Sequence, residues 1–160
     1  KGFAVDQIAG LLDALGCSSY LVEIGGELRS RGLKPSGQPW WVAIEQPPDS
    51  SGFPEVAVAL FGQAIATSGG YRRRFIHEGR TYSHTIDPRT GHPASEGVVS
   101  VTVIHEECAR ADAYSTALLV MGAEAGLAFA EQRGLAAFFV RKTSTGFEHR
   151  CSTGFQKMLA

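Results

Sequence analysis

GVVSVTVI (residues 97–104) is followed after three residues by CARADAYSTALLVMGAEAGLAFAEQRG (residues 108–134), and the change of pattern between the two decides the fold class. The first run is rich in β-branched residues and predicts a strand. The second is rich in alanine and leucine, both good helix formers, and Gly122 divides it into two helices, the second ended by Gly134. Downstream, LAAFFVRKT (135–143) and FEHRCS (147–152) predict a hairpin across STG, followed by a short tail. Upstream, Phe3, Ile8, Leu11, Leu12 and Leu15 recur at roughly helical spacing before Gly16, which predicts an amphipathic helix over 3–15. YLVEIGG (20–26) reads as a strand feeding a glycine turn, PWWVAIEQP (39–47) as an apolar run bounded by prolines, and EVAVALFGQAIATSGG (55–70) as two strands. PPDSSGFP (47–54) is a loop by composition. A helix, several strands, two helices and more strands favour an α+β fold, a mixed or antiparallel sheet with packed helices, over regular βαβ alternation.

The chain has 160 residues, of which 44% are hydrophobic and 19% charged, with a formal net charge of -1. One globular domain spanning 1–160 is expected. Nothing in this balance calls for nucleic acid, and the short Arg72, Arg73, Arg74 cluster reads as a solvated or phosphate-facing edge. Cys17, Cys108 and Cys151 lack CxxC spacing, which argues against a zinc site or a dense disulfide framework and leaves one internal disulfide open. No apolar run approaches the roughly 18 to 20 residues that span a bilayer, and no signal peptide is evident. Opening on Lys1, and helical within three residues, the sequence reads as a fragment of a longer protein.

Three constellations could carry chemistry. In RTYSHTIDPRTGHP (80–93), DPRTG has turn chemistry throughout, since Pro88 presets φ, Gly91 permits φ > 0 and Asp87 can accept from backbone N–H groups ahead of it. A plain hairpin turn explains that much. His84, three residues earlier in a strand-like TYSHTI, adds a proton-exchanging group at a strand end. In CARADAYST, Asp112 and Thr116 stand four residues apart and share a helix face. A carboxylate and a hydroxyl there form a hard oxygen pair suited to Mg²⁺, while N-capping by Asp112 and back-bonding by Thr116 explain the same residues structurally. In AIATSGGYRRRF, small residues and a glycine pair after a strand let backbone N–H groups approach an anion. The Gly25–Gly26 pair of EIGGELRSRG marks a bulge or tight turn. No Walker loop or GxGxxG fingerprint occurs.

Taken in order, KGFAVD, YLVEIGGELRSRG, ATSGGYRR, SHTIDPRTGHP, SVTVI and ADAYSTALLVMG resemble the ApbE family, the FAD:protein FMN transferases once described as thiamine-biosynthesis lipoproteins. The resemblance covers nearly the whole chain and implies the C-terminal part of the ApbE-like, T-fold-related architecture. It implies an Mg²⁺-dependent enzyme that takes FAD, releases AMP and joins FMN phosphate to a threonine hydroxyl of a client protein. It implies a bacterial, periplasmic enzyme, anchored to the inner membrane as a lipoprotein through a lipid outside this chain, with client subunits of sodium-pumping and electron-transfer complexes. Carried over, Asp112 and Thr116 are metal ligands and His84 assists proton removal from the acceptor. Asp87 and Arg89 shape the loop, and Arg89 has the option of facing a phosphate. Lys1, Ile86 and Ser115 contact FAD, with Gly69, Gly70 and Tyr71 as weaker candidates.

Two departures bear on this. Ser115 stands where many members carry an acidic residue, and family enzymes are about twice as long, with an N-terminal half that supplies flavin contacts and a metal ligand. The chain is therefore expected to hold most catalytic loop residues but only part of the flavin pocket, to bind FAD weakly or not at all, and to turn over little. A metal-dependent FAD pyrophosphatase releasing FMN and AMP, and a flavin-binding or assembly module without catalysis, are the competing readings.

Overall fold

The valine-rich run forms a strand over Val98–His105 in which seven successive residues are buried. That continuous burial replaces the usual alternation because both of its faces are covered. The structure, a computed structural model, describes residues 1–48, 54–71, 74–94 and 97–159. In chain order these form α1 (Gly2–Ala14), β1 (Tyr20–Ile24), β2 (Glu27–Arg31), β3 (Trp40–Ala43), β4 (Ala57–Leu60), β5 (Ala64–Gly69), β6 (Arg74–His77) and β7 (Arg80–Ser83). The valine-rich strand is β8, followed by α2 (Cys108–Met121), α3 (Ala123–Arg133), β9 (Ala136–Thr143), β10 (Gly146–Cys151) and α4 (Thr153–Gln156).

Six strands make one sheet in the order β1-β2-β5-β8-β9-β10, and every neighbouring pair is antiparallel. The expected α+β class with an antiparallel sheet is what forms. The period-2 rule sorts the side chains of the inner strands. Ala66, Val101, Val103, Ala137 and Phe139 pack against Ala111, Leu118 and Leu119 of α2 and Ala130 of α3. Ile65, Ile104, Phe138 and Val140 point the other way, onto Val58 and Leu60 of the β3–β4 hairpin and Phe155 of α4. Two threonines also lie on that second face. Thr67 and Thr102 sit directly opposite each other, and their hydroxyls satisfy each other at 2.8 Å.

The helix at the start forms where expected but turns the opposite face inward. Gly2, Val5 and Ala9 are buried, whereas Phe3, Ile8, Leu11 and Leu15 of the predicted apolar stripe are exposed. The physical reason is how closely α1 crosses α2. A Cβ placed on Gly2 would overlap the Cys108 carbonyl and crowd the Ala109 Cα, so only small side chains fit the contact. Four further elements were not foreseen or only half foreseen. Gly25 and Gly26, both at φ > 0, are the two-residue turn joining β1 to β2. ELRSR is a strand, RFIH pairs with RTYS in a separate hairpin, and the expected tail contains α4, capped by the Ser152 hydroxyl. All three cysteines are free thiols, which answers the open disulfide question. Arg72, Arg73 and part of the PPDSSGFP loop lie outside the described residues.

The first turn of α2 is capped from another helix. Glu107 occupies the N-cap position without a side-chain cap bond. Asp6 of α1 does that work instead: its carboxylate accepts from the N–H of Cys108 at 3.0 Å and of Ala109 at 2.8 Å, and from Arg29 Nη1 at 2.5 Å. Burial raises the Asp6 pKa, but the Ala109 and Cys108 backbone bonds and the Arg29 guanidinium together outweigh it and hold the carboxyl below its ordinary value.

Asp6→Ala should therefore destabilise the fold by about 1 to 2 kcal/mol, the usual cost of losing a helix cap, as read by urea denaturation at neutral pH. Because the folded-state pKa is depressed, the stability Asp6 adds is complete above about pH 4 and is lost as pH falls through the folded value. Asp6→Asn should accordingly show a shallower acid loss of stability than the unaltered chain.

Candidate active site

Once α2 is fixed by its cap, Asp112 in its second turn and Thr116 one turn later project into a cleft formed with the DPRTG loop and the start of α1. The cleft is two adjoining cavities of about 710 and 580 Å³ that share Lys1, Thr85, Asp112 and Thr116, a volume suited to a sizeable small molecule. The larger part is walled by Phe3, Ile86, Pro88, Ala113, Val120 and Met121 among others. The smaller part is polar, lined by Gly25, Glu27, Thr67, Ser68, Gly69 and His84. Segments from five separate places in the sequence thus converge on one space.

Asp112 is positioned by the start of α1. Its Oδ2 accepts from the Gly2 N–H at 2.9 Å. Asp112 does not cap α2, but the other structural alternative holds: Thr116 Oγ1 donates back to the Asp112 carbonyl at 3.2 Å. The same hydroxyl lies 2.8 Å from Ser68 Oγ, which in turn lies 2.9 Å from Ser115 Oγ. Ser115 is fully buried and donates to the Asp112 carbonyl at 2.9 Å. It lines neither part of the cleft and backs Ser68 from behind the wall.

His84 follows β7 immediately and lines the polar part of the cleft from an exposed position. The loop after it is closed by backbone bonds. Asp87 N–H donates to the His92 carbonyl at 2.8 Å, Gly91 N–H to the Asp87 carbonyl at 2.8 Å, and Ala94 N–H to the Thr85 carbonyl at 2.8 Å. Gly91 takes φ 72°, which the turn requires. Arg89 grips Asp87 with two nitrogens, Nε to Oδ1 at 2.9 Å and Nη2 to Oδ2 at 2.7 Å, and reaches the Val120 carbonyl with Nη2 at 3.2 Å. That last bond ties the loop to the C-terminal part of α2. The Arg89 guanidinium, together with the Arg89 N–H, holds the Asp87 carboxyl below the usual carboxylate range. Arg89 is thus a loop-holding residue, as expected, and it also lines the larger cavity.

The weaker candidates separate. Gly69 lines the cleft, but Gly70 lines a different, smaller pocket with Ser83 and Leu119. Tyr71 lines neither part of the cleft. Its ring lies so close to Gly69 that a Cβ there would overlap it, its hydroxyl is buried with no partner among the described residues, and burial pushes its pKa up to about 12. Sequence reasoning missed Glu27, Thr67, Ser68 and Thr85. Ser68 had a signal in its two-residue spacing from Ala66 and Ala64, which places it on the helix side of β5, but only the sheet order shows that α2 lies above it.

Among the described residues, no three His, Cys, Asp or Glu side chains cluster as a metal site. Asp112 and Thr116 supply two hard oxygens beside an open space, which fits an ion that completes its shell with water and phosphate and does not fit a closed protein cage.

An antiparallel sheet under three helices, with a divided cleft bearing an acid, a hydroxyl, a lysine and a histidine, defines an α+β protein whose cleft joins a polar part to an apolar one. The ApbE family model matches residues 1–139, and the chain belongs to that family. It is 44% identical over 146 residues to the FAD:protein FMN transferase of Vibrio cholerae, covering 91% of this chain and 44% of the relative. To that of Escherichia coli K12 it is 42% identical over 142 residues, covering 89% and 40%. Among solved structures, the apo flavinyl transferase ApbE of Pseudomonas stutzeri superposes with a TM-score of 0.87 at 47% identity, covering 99% of this chain and 49% of that one. The ApbE protein of Thermotoga maritima superposes at 0.85 and 32%, covering 99% and 51%. The chain spans about half the length of the relatives it matches.

Arg89→Ala should release the loop without unfolding the sheet. Hydrogen exchange over residues 85–94 is expected to quicken severalfold while the β8 amides stay protected, and unaltered protein should show the same local loosening as pH falls through the depressed Asp87 value.

Proposed function

We propose that this chain carries the acceptor-activating and metal-binding portion of an FAD:protein FMN transferase, acting on FAD and a threonine hydroxyl of a client protein. One observation supports this most: Lys1, His84, Ile86, Asp112 and Thr116, drawn from three separated motifs, all line one continuous cleft. The divided character of that cleft suits FAD, which has a charged pyrophosphate between two ring systems. In this reading the apolar wall with Phe3, Ile86 and Met121 takes a ring, and the polar part takes the pyrophosphate.

In the reaction, the acceptor threonine oxygen forms a bond to the FMN phosphorus, the pyrophosphate P–O bond breaks, and AMP leaves with that electron pair. His84, at the exposed mouth of the cleft, takes the hydroxyl proton. Asp112 and Thr116 are the groups that would hold Mg²⁺. Bound there, the ion would supply neutralisation of pyrophosphate charge. The protein's own share is orientation: Gly2 fixes the Asp112 carboxylate, Ser68 and Ser115 fix the Thr116 hydroxyl, and the Asp87–Arg89 pair fixes the loop after His84. The family resemblance carries with it a periplasmic location with a lipid anchor outside this chain. No described helix is long and apolar enough to cross a membrane.

Incubation of the native protein with FAD, Mg²⁺ and a client bearing the acceptor threonine tests the reading through flavin fluorescence on denaturing gels. Covalently fluorescent client is expected, lowered by about a hundredfold or more in His84→Ala and lost in Asp112→Ala. Free FMN without labelled client would mean hydrolysis, and unchanged labelling in both variants would mean that this cleft is not where transfer occurs.

A further inference from the structure

Glu27 has no part in the chemistry above, yet it is among the most buried acids of the molecule. It opens β2 directly after the Gly25–Gly26 turn, is 2% exposed, and lines the polar part of the cleft beside His84, Asp112 and Thr116. A carboxylate so placed needs a partner. Its Oε2 lies 2.6 Å from Lys1 Nζ. By distance this is an ion pair, but its angles fall short of a hydrogen bond, so the oxygen is a buried acceptor with no donor aligned to it. Lys1 Nζ donates to the Gly25 carbonyl at 3.0 Å. The turn that presents this carbonyl depends on Gly25 at φ 61°.

Lys1 is the reverse case. Its side chain is 53% exposed, and an ammonium on a flexible four-carbon stem would, if untethered, sample many positions in water. Glu27 and the Gly25 carbonyl between them engage it from one side. An ammonium has three donors, and with one spent on the Gly25 carbonyl, others remain for an anionic oxygen in the cleft. The pair is close to neutral, and what Glu27 adds is a fixed position, with no added attraction for an anion. We propose that Glu27 is a positioning residue that sets the Lys1 ammonium for the FAD pyrophosphate. The inference rests on the reading of this cleft as the FAD site.

If Glu27 acts through Lys1, the effects of changing the two must be coupled; if it merely holds the β1–β2 turn, they multiply independently. Calorimetric titration of FAD with Mg²⁺ into the native protein is run on the unaltered form, Glu27→Gln, Lys1→Met and the double variant, with thermal denaturation alongside. Glu27→Gln keeps shape and removes charge, and is expected to weaken binding roughly three- to tenfold, the usual worth of one immobilised long side chain. Lys1→Met should weaken it further, and adding Glu27→Gln to Lys1→Met should change nothing more. Independent losses, or undiminished affinity in Glu27→Gln, would overturn the proposal. Should Glu27→Gln not fold, Glu27→Asp retains the charge one methylene short and must show the same coupling to Lys1. Failure of the unaltered protein to bind FAD would overturn the FAD reading itself, and this proposal with it.

Discussion

The contact between Asp6 and the first turn of α2 is the constraint on which the site depends. The free N–H groups at the start of a helix attract an anion, and in many nucleotide-binding proteins that anion is the ligand. Here it is a carboxylate of the same chain, so the helix start is spent on architecture. Asp6 and Gly2 are four residues apart on α1 and clamp α2 at two points, Asp6 at its first turn and Gly2 at Asp112. With the start of α2 held, Asp112 and Thr116 can be placed only on the cleft side.

This gives the KGFAVD segment a physical reading residue by residue. Lys1 meets Glu27 and Gly25 across the cleft, Gly2 permits the close crossing and donates to Asp112, Val5 fills the small space under the crossing, and Asp6 caps α2. Phe3 points the other way and becomes wall of the larger cavity. One helical turn and a half therefore serves binding, packing and capping at once. Substitution in it is expected to disturb stability and the site together.

Much of this was legible in the sequence, and what was not has an identifiable cause. The β8–α2–α3–β9 succession shows in composition alone, because valine-rich and alanine-rich runs differ in period and propensity. His84, Asp112 and Thr116 were chosen by chemical type and spacing, and the cleft contains all three. The inward face of α1 was misread because the apolar stripe of Phe3, Ile8, Leu11 and Leu15 carries more hydrophobicity than Gly2, Val5 and Ala9, while burial here follows size. Hydropathy patterns register apolar surface and do not register how near two helices must come. Ser68 and Glu27 were missed for a different reason. Ser68 sits in a strand whose sheet neighbours are far away in sequence, and the walls that Glu27 faces across the cleft are equally distant, so only the order β1-β2-β5-β8 brings both to it.

Under the proposed function, the exposed position of His84 suits transfer better than hydrolysis. A base that activates only water works best in an enclosed site where other nucleophiles are kept out. His84 instead stands exposed, directly after a two-stranded ribbon that pairs with no other described strand and bears Phe75 at 44% and Ile76 at 76% exposure. The larger part of the cleft is mostly apolar, the smaller part lies between α2 and β5, and His84 stands exposed at its edge. Under the proposed function, that order lets a bulky protein-borne hydroxyl reach the phosphorus from outside while the dinucleotide fills the interior.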